Sequence, residues 1–492
     1  MINQDQFIAL LPQLLSSILI LVVMGLTAIH RCHATIAATT VLGLAATLVS
    51  IPYAASVGPQ AVTALFIVDG QALFYSGLIL AAAIGTTLLL WGYLKNFAGN
   101  REEMYLLLTL AVNGALVLVI SRHMASFFVG LELMTVPLYG MAGYLFMQRR
   151  PLESATKYLV LSATATAFLL FGMAFLYAQS GRLDFAGIAT LFTSGHTADA
   201  WLAQAGLTLM LVGIAFKLSL APLHQWTLDV YEGAPAPVGA FLATVSKVAV
   251  VAVLLRLLEE SGVSGLHPTD AAADSLPTVL ATVAAVSILV GNLLALRQDN
   301  LKRLFAASSI AHFGYLLIAI VVGGQLAREA AGMYLTAYVA TTIGAFGVLS
   351  LLSRHGSNHN EDRDADTLGA VRGLAVRSPF LAVVLTVMLL SLAGIPLTAG
   401  FLGKFYVITA GASAGFWGLL LMVVIGSAMG LYYYLRVIAA ICQPAEPGLG
   451  KIGVERMGGI AVAAALLAVF CIGIWPELLA DVLQSATIIR LP

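Results

Sequence analysis

The sequence predicts an all-α, polytopic membrane protein with about fourteen transmembrane helices. The chain has 492 residues, of which 60% are hydrophobic and only 10% are charged, and its mean hydropathy is +0.96. This composition leaves too little polar surface to cover a soluble globule. A helix needs about 20 residues to cross a bilayer, and the apolar runs of this chain reach that length.

The predicted spans fill most of the chain. Their approximate bounds are 7–30, 36–55, 72–94, 104–120, 124–147, 158–177, 202–232, 238–258, 279–296, 304–322, 333–352, 380–410, 416–440 and 460–479. We expect four sections, which are an N-terminal three-helix segment (1–100), a first five-helix repeat (101–262), a second, inverted repeat (275–443) and a C-terminal helix (455–492). Two polar stretches, 180–201 and 354–377, are predicted to be surface connections.

Basic residues are divided unevenly between the connections. The connections after odd-numbered spans carry Arg31, Lys95, Arg101, Arg149, Arg150, Arg297, Lys302, Arg303, Arg354, Arg363, Arg372, Arg377, Lys451 and Arg456. Those after even-numbered spans carry Arg122, Arg182, Arg256, Arg328 and Arg490. Because cytoplasmic connections are enriched in Lys and Arg, we expect the odd connections in the cytoplasm and both termini outside.

Two spans are too long for a simple crossing and are interrupted by proline or glycine. The seventh contains Lys217-Leu-Ser-Leu-Ala-Pro-Leu-His224, and the twelfth contains Ser391-Leu-Ala-Gly-Ile-Pro-Leu-Thr-Ala-Gly-Phe-Leu-Gly-Lys404. Pro222 and Pro396 each remove a backbone donor and should break these helices within the membrane. Such breaks imply a hydrated interior, because hydrocarbon offers freed backbone groups no partner. Broken spans five apart cross in opposite directions, which indicates an inverted repeat.

Ionisable residues inside apolar spans are the main indication of function. Lys217, Lys247, Lys404 and Glu132 all occupy such positions. A charge at mid-bilayer costs about 2.5 to 3.5 kcal/mol on insertion scales, so four would oppose insertion by roughly 10 to 14 kcal/mol. Lysines near span ends can instead snorkel to the interface, and the depth of Lys404 depends on how its span is broken.

Glu132 and Lys217 are candidates for a buried pair. Burial favours the neutral form of a lysine, whereas a nearby carboxylate favours the charged form. A change in their separation would therefore load or release a proton, although a static structural pair is the alternative. His224 and His312 could relay protons between the lysines through water, or they could be hydrogen-bonded packing residues. Glu153 and Lys157 are explained by a local i,i+4 pair, with proton uptake as the alternative.

The sequence offers no evident cofactor site. It contains no GxGxxG or GxxxxGK[ST] motif in a strand-to-helix setting. Its three cysteines, Cys32, Cys442 and Cys471, lack the spacing of a zinc or iron–sulfur site. The net charge is zero, so no basic surface suggests nucleic acid. Any redox cofactor is expected on another chain.

Several stretches resemble subunit N of bacterial NADH-quinone oxidoreductase, the respiratory complex I, and the resemblance covers nearly the whole chain. They are Leu131-Glu-Leu, Leu152-Glu-Ser-Ala-Thr-Lys-Tyr158, Phe216-Lys-Leu-Ser-Leu220, Asp229-Val-Tyr-Glu-Gly-Ala-Pro-Ala-Pro237, Leu242-Ala-Thr-Val-Ser-Lys247, Asn300-Leu-Lys-Arg-Leu304, Gly400-Phe-Leu-Gly-Lys-Phe-Tyr406 and Gly430-Leu-Tyr-Tyr-Tyr-Leu-Arg436.

The resemblance implies fourteen helices with two inverted five-helix repeats, and a proton-pumping role in the membrane arm driven by quinone reduction elsewhere in the complex. Glu132 and Lys217 would form the input pair, Lys247 the central relay and Lys404 the output site. His224 and His312 would lie on the same polar axis.

The resemblance also implies partners and a location. NADH, FMN, iron–sulfur clusters and quinone would be handled by partner subunits. The neighbours would be other membrane-arm subunits, including antiporter-like ones, in a bacterial inner membrane with both termini periplasmic. A subunit of a multi-chain cation/proton antiporter and a non-transporting scaffold remain alternatives.

Overall fold

The computed structural model describes residues 3–95, 97, 99–145, 149–193, 200–261, 275–353, 364–444 and 451–486. The end of the fifth predicted span at Met147, the basic residues Arg354, Arg363 and Arg490, and positions 194–199 of the first polar connection lie outside these ranges.

The N-terminal part combines long helices with one small hairpin. Its elements are α1 (Gln4–Ala9), α2 (Leu11–Ile29), α3 (His33–Ala55), β1 (Gln60–Val62), β2 (Phe66–Val68) and α4 (Gly70–Leu94). The strands pair antiparallel, with Ala61 opposite Ile67. This hairpin corrects the all-α expectation in one place. It is held at the end of the bundle because the Ile67 amide also donates to the carbonyl of Ile120, 2.8 Å away.

In the described ranges, the regular elements of the middle and C-terminal parts are all helices. They contain α5 (Glu103–Val119), α6 (Met124–Ala142), α7 (Arg149–Ser180), α8 (Phe185–Thr193), α9 (Ala200–Lys217), α10 (Gln225–Gly233), α11 (Ala236–Ala243), α12 (Val245–Glu260), α13 (Ser275–Leu296), α14 (Leu301–Val322), α15 (Gly324–Leu352), α16 (Leu368–Val371), α17 (Leu374–Arg377), α18 (Pro379–Ala393), α19 (Ala399–Ser413), α20 (Trp417–Cys442), α21 (Arg456–Ile474) and α22 (Glu477–Ser485).

Eleven helices in the described ranges are long and apolar enough to cross a membrane, with α11 and α12 counted as one. Three further apolar helices, α5, α9 and α18, are shorter. Every predicted span overlaps one of these helices, so the prediction of a polytopic helical membrane protein is confirmed. The number of crossings and the inverted repeat stay predictions.

Both predicted breaks are present. α9 ends at Lys217 and α10 begins at Gln225, while α18 ends at Ala393 and α19 begins at Ala399. At each break, a serine hydroxyl accepts a hydrogen bond from a backbone amide. The Ala221 amide donates to Oγ of Ser287 at 2.9 Å, and the Gly400 amide donates to Oγ of Ser391 at 3.1 Å.

A third interruption was not predicted. α11 ends at Ala243 and α12 begins at Val245, with Thr244 between them at φ −111° and ψ −79°. The sequence here is apolar and lacks proline after Pro237, so no breaker marks the position. Lys247 follows within one turn.

Three assignments based on polarity were wrong. Arg256 is not a connection residue, because it lies inside α12 with no exposed surface and pairs with Asp69 at 2.7 Å. Lys302 is likewise buried, on α14, and pairs with Asp364 at 2.6 Å. The stretch 180–201 is not simply a surface connection, since α8 buries Phe185 and Ile188 within it. In all three cases burial depends on packing partners far away in sequence.

Candidate functional site

The first centre of the site lies where α6, α7 and α9 meet. Lys217, the last residue of α9, is only 6% exposed. Its Nζ donates to Oγ1 of Thr135 on α6 at 2.9 Å and to Oγ of Ser162 on α7 at 2.8 Å. The break after α9 therefore delivers a lysine to two buried hydroxyl groups.

Glu132 lies beside this centre but does not pair directly with Lys217. Its Oε1 accepts a hydrogen bond from Oγ1 of Thr166 at 2.9 Å. Among the described residues, the ion pairs within 4.0 Å do not include these two residues. Thr135 lies one turn from Glu132 on α6, and Ser162 lies one turn from Thr166 on α7. The expected direct contact is therefore not formed: Lys217 donates to Thr135 and Ser162, whereas Glu132 accepts from Thr166.

Lys247 forms the second centre, and it has no exposed surface. Its Nζ donates to Oγ of Ser309 on α14 at 2.7 Å and lies 3.4 Å from the carbonyl oxygen of Leu218. It also lies 4.5 Å from the ring centre of Phe313. Leu218 directly follows Lys217. Lys247 therefore connects the break of the first half to α14 of the second half.

His312 lies one turn beyond Ser309 on α14 and continues the series of buried polar groups. Its Nδ1 is 2.6 Å from the hydroxyl of Tyr334, and its Nε2 is 3.2 Å from the hydroxyl of Tyr434. The Tyr434 hydroxyl also contacts Oγ of Ser308. Both ring nitrogens of His312 therefore have a partner that can donate or accept a proton.

Lys404 is buried inside the protein, and its depth in the membrane stays a prediction. It lies on α19, after the second break, and is 8% exposed. Its Nζ donates to the carbonyl of Ala393 at 2.8 Å and lies 5.4 Å from the ring centre of Tyr315.

A cavity of about 10 Å³ lies between His312 and the second break. Its walls are formed by His312, Tyr334, Ala337, Tyr338, Thr341, Ser391, Leu392, Gly400 and Gly403. This volume is at the lower limit for one water molecule, which also needs polar partners such as those present here.

Two of the lysines face the carboxyl ends of interrupted helices. Lys247 faces the Leu218 carbonyl at the end of α9, and Lys404 faces the Ala393 carbonyl at the end of α18. Such ends carry a partial negative charge from unpaired carbonyl groups, and a nearby cation is favourable. Each lysine thus supplies a donor to a carbonyl group at a break.

His224 is not joined to this series. It precedes α10 and is half-buried, and its Nδ1 is buried with no hydrogen-bond partner in the described part of the chain.

An alternating chain of charges lies at one end of α7. Lys157 pairs with Glu153 and with Asp229, each at 2.8 Å, which confirms the local i,i+4 pair. Arg303 on α14 pairs with Asp229 at 2.8 Å and with Glu232 at 2.7 Å. Together with Arg150, 3.6 Å from Glu232, these contacts join α7, α10 and α14. Most of these residues line a polar cavity of about 130 Å³, room for about four waters.

A buried polar stripe leads from this cavity towards Lys217. Ser154, Tyr158, Ser162 and Thr166 recur at i+4 along α7, and none is more than 9% exposed. Residues four apart lie on one helix face. The stripe therefore begins at Ser154 in the polar cavity wall and reaches the hydroxyls that contact Lys217 and Glu132.

The hydroxyl partners of the lysines were missed from the sequence. Serine and threonine are frequent in apolar helices, so Thr135, Ser162 and Ser309 gave no distinctive signal. Tyr434 lies in a run of three tyrosines, 432–434, but nothing in the run indicates which one faces inward.

Comparisons with known proteins decide the family. The family model described as NADH:quinone oxidoreductase/Mrp antiporter, TM matches residues 121–430. A curated relative from Ectopseudomonas mendocina (strain ymp), NADH-quinone oxidoreductase subunit N, is 49% identical over 99% of this chain and 98% of its own. The chain belongs to the NADH-quinone oxidoreductase subunit N family.

Solved structures share the fold of this subunit N family member. A chain of respiratory complex I from Thermus thermophilus, with bound aureothin, is 34% identical with a TM-score of 0.80, over 96% of this chain and 99% of that one. A chain of the archaeal membrane-bound sulfane sulfur reductase is 23% identical, with a TM-score of 0.83, over 97% and 96%. A chain of the Mrp complex from Dietzia sp. DQ12-45-1b is 20% identical, with a TM-score of 0.76, over 98% and 97%. The last two show the fold alone.

Proposed function

We propose that this chain is the proton-translocating, antiporter-like membrane subunit of an NADH-quinone oxidoreductase, and that its buried lysines carry the protons. The observation that supports this most directly is the series of buried lysines. Lys217, Lys247 and Lys404 are each at most 8% exposed, and each donates to a protein oxygen. Intramembrane ionisable groups that face a bundle interior are typical of proton pathways.

Protons enter along the stripe of α7. The 130 Å³ cavity beside Lys157 admits water, and the side chains of Ser154, Tyr158 and Ser162 continue inward from it. Lys217 receives the proton, and Glu132 modulates its charge from the neighbouring turn of α6. The hydroxyls of Thr135 and Ser162 hold the ammonium group in place.

Transfer to the second half runs through Lys247 and His312. Lys247 contacts Ser309, and His312 lies three residues further along the same helix with tyrosine hydroxyls on both ring nitrogens. The small cavity beside His312 has room for one bridging water on the side of the second break. Lys404 then serves as the output group.

The energy for this transfer comes from outside the chain. Quinone reduction, with NADH, FMN and iron–sulfur clusters, takes place in partner subunits, and neighbouring membrane-arm subunits transmit its effect. We place the chain in a bacterial inner membrane with both termini on the periplasmic side, following the excess of basic residues in the odd connections.

Quinone-dependent proton pumping in inverted membrane vesicles tests the proposal. Lys217→Ala and Glu132→Gln should lower pumping strongly while native gels show the assembled complex. Lys95→Ala, a matched change at an exposed lysine, should pump normally. Full pumping and turnover in both Lys217→Ala and Glu132→Gln would refute the proposal. Pumping that depends on sodium would favour a cation/proton antiporter.

A further inference from the structure

A large cavity lies apart from the lysine series, between α3, α4 and the C-terminal helix α22. Its volume is about 880 Å³. Its walls are largely apolar and include Leu48, Ile51, Leu73, Phe74, Gly77 and Val482. This volume lies within the roughly 300 to 1,000 Å³ of typical small-molecule sites.

The cavity is about as long as one membrane leaflet is thick. Its α4 wall extends from Gly70 to Leu78, which at 1.5 Å per residue is about 12 Å. Half of a hydrocarbon core of about 30 Å is roughly 15 Å. Val49 is 76% exposed and Val482 is 49% exposed, so the cavity opens through apolar side chains to the outer surface of the helices.

A transmembrane helix from another subunit is too large to be enclosed within the cavity. A spanning helix about 30 Å long and about 10 Å wide occupies roughly 2,400 Å³ as a cylinder. That is nearly three times the volume of the cavity, which is about 880 Å³. A flexible hydrocarbon chain of one lipid is compatible with both the volume and the depth.

The charges around the cavity favour a lipid without net charge. Among the described residues that line it, Asp69 alone is charged, and its carboxylate is paired with Arg256. On α22, the sequence Glu477-Leu-Leu-Ala-Asp-Val-Leu-Gln-Ser485 has two acidic residues and no basic one. Anionic headgroups require Lys or Arg, whereas the ammonium group of a zwitterionic lipid is compatible with Glu477 and Asp481.

We propose that this cavity binds an acyl chain of a zwitterionic phospholipid such as phosphatidylethanolamine. The bound chain fills the space between α3, α4 and α22 and packs against the wall that contains Asp69, whose side chain the protein itself already buries.

Photolabelling of the intact complex tests this site. The probe is phosphatidylethanolamine with a diazirine in its acyl chain, incorporated into vesicles of phosphatidylethanolamine and phosphatidylglycerol. We expect labelled peptides that contain residues 48–55, 73–78 and 482–486. The corresponding phosphatidylglycerol probe should label them several-fold less.

Two filling variants and one control make the test specific. A Cβ at Gly77 would lie 3.5 Å from Cδ1 of Ile51, an ordinary contact, so Gly77→Leu extends into the cavity. Val482→Trp fills it from α22. Both should lower labelling several-fold, whereas Gly25→Leu, at a position with no atom within 4 Å of the added Cβ, should not. Unchanged labelling in both filling variants, or cross-links from this cavity to another subunit, would overturn the proposal.

Discussion

The ammonium group of Lys217 donates a 2.9 Å hydrogen bond to Oγ1 of Thr135, one helical turn from Glu132. The Thr135 hydroxyl in turn donates to the carbonyl of Leu131 at 2.6 Å, and Glu132 accepts from Thr166, so the carboxylate on α6 lies near the lysine on α9 without a direct ion pair. Such a spacing leaves the lysine charge responsive to small movements of α6.

Thr135→Val should impair pumping without preventing assembly. Hydrogen bonds to charged groups contribute about 1.5 to 3 kcal/mol, so the charged form of Lys217 loses roughly a factor of ten to a hundred in its equilibrium. Pumping rate in vesicles measures the effect. Thr135→Ser keeps the hydroxyl and should restore activity, and Thr164→Val, at an exposed threonine of α7, should have no effect. Wild-type pumping by Thr135→Val would show that this hydrogen bond is dispensable.

Tyr434→Phe should slow proton transfer past His312. The substitution removes one hydroxyl, 3.2 Å from Nε2, and leaves the ring in place, so packing is preserved. The ratio of protons pumped to NADH oxidised should fall. Tyr432→Phe is the matched control, because Tyr432 is 64% exposed. An equal ratio in the two variants would exclude Tyr434 from the route.

Removing one member of the buried Asp69–Arg256 pair should destabilise the subunit strongly. Arg256→Met leaves the Asp69 carboxylate uncompensated at zero exposure and removes the partner of Glu260, 3.7 Å away, and the loss of one partner of a buried pair costs about 3 to 5 kcal/mol. Adding Asp69→Asn removes the charge and keeps an oxygen for the amide of Ala72, the first-turn contact of α4.

The double variant should therefore recover part of the stability, because Glu260 still has Arg122 at 4.0 Å as its remaining partner. The thermal midpoint of assembled complex, followed by native gel, measures this. Arg31→Met, at a pair that is largely exposed, should change it little. If the double variant is as unstable as Arg256→Met, the charges of Asp69 and Arg256 do not stabilise the contact between α4 and α12.

Gly473→Ala should displace the backbone of the second break, between α18 and α19, from the side on which α21 packs. A Cβ at Gly473 on α21 would lie 2.4 Å from the carbonyl oxygen of Leu397, and a backbone atom cannot move as easily as a side chain. We expect lower pumping because the position of Lys404 depends on this segment. Gly418→Ala, where the added Cβ meets no atom within 4 Å, should pump normally. Normal pumping by Gly473→Ala would show that the break tolerates displacement.

The sequence predicted the spans and both breaks because apolar length and proline act locally. It also identified Lys217, Lys247 and Lys404, since charges in apolar runs are conspicuous. It did not predict the partners of those lysines. Thr135, Ser162 and Ser309 become partners only through the packing of helices distant in sequence.

The same limit explains Arg256 and Asp69. Each lies near a span end, where polarity predicts a surface position, and only the packing of α12 against α4 buries both. The interruption at Thr244 likewise carries no local breaker. Tertiary packing decided these three features.

The second break is buried on one side and open on the other. The carbonyl of Ala393 binds Lys404 inside the protein, whereas Leu397, four residues later, is 69% exposed. A neighbouring protein surface that presses on Leu397 acts on the same backbone turn that orients the lysine. Leu397 is therefore a handle on the outer surface that leads directly to the backbone holding a buried lysine.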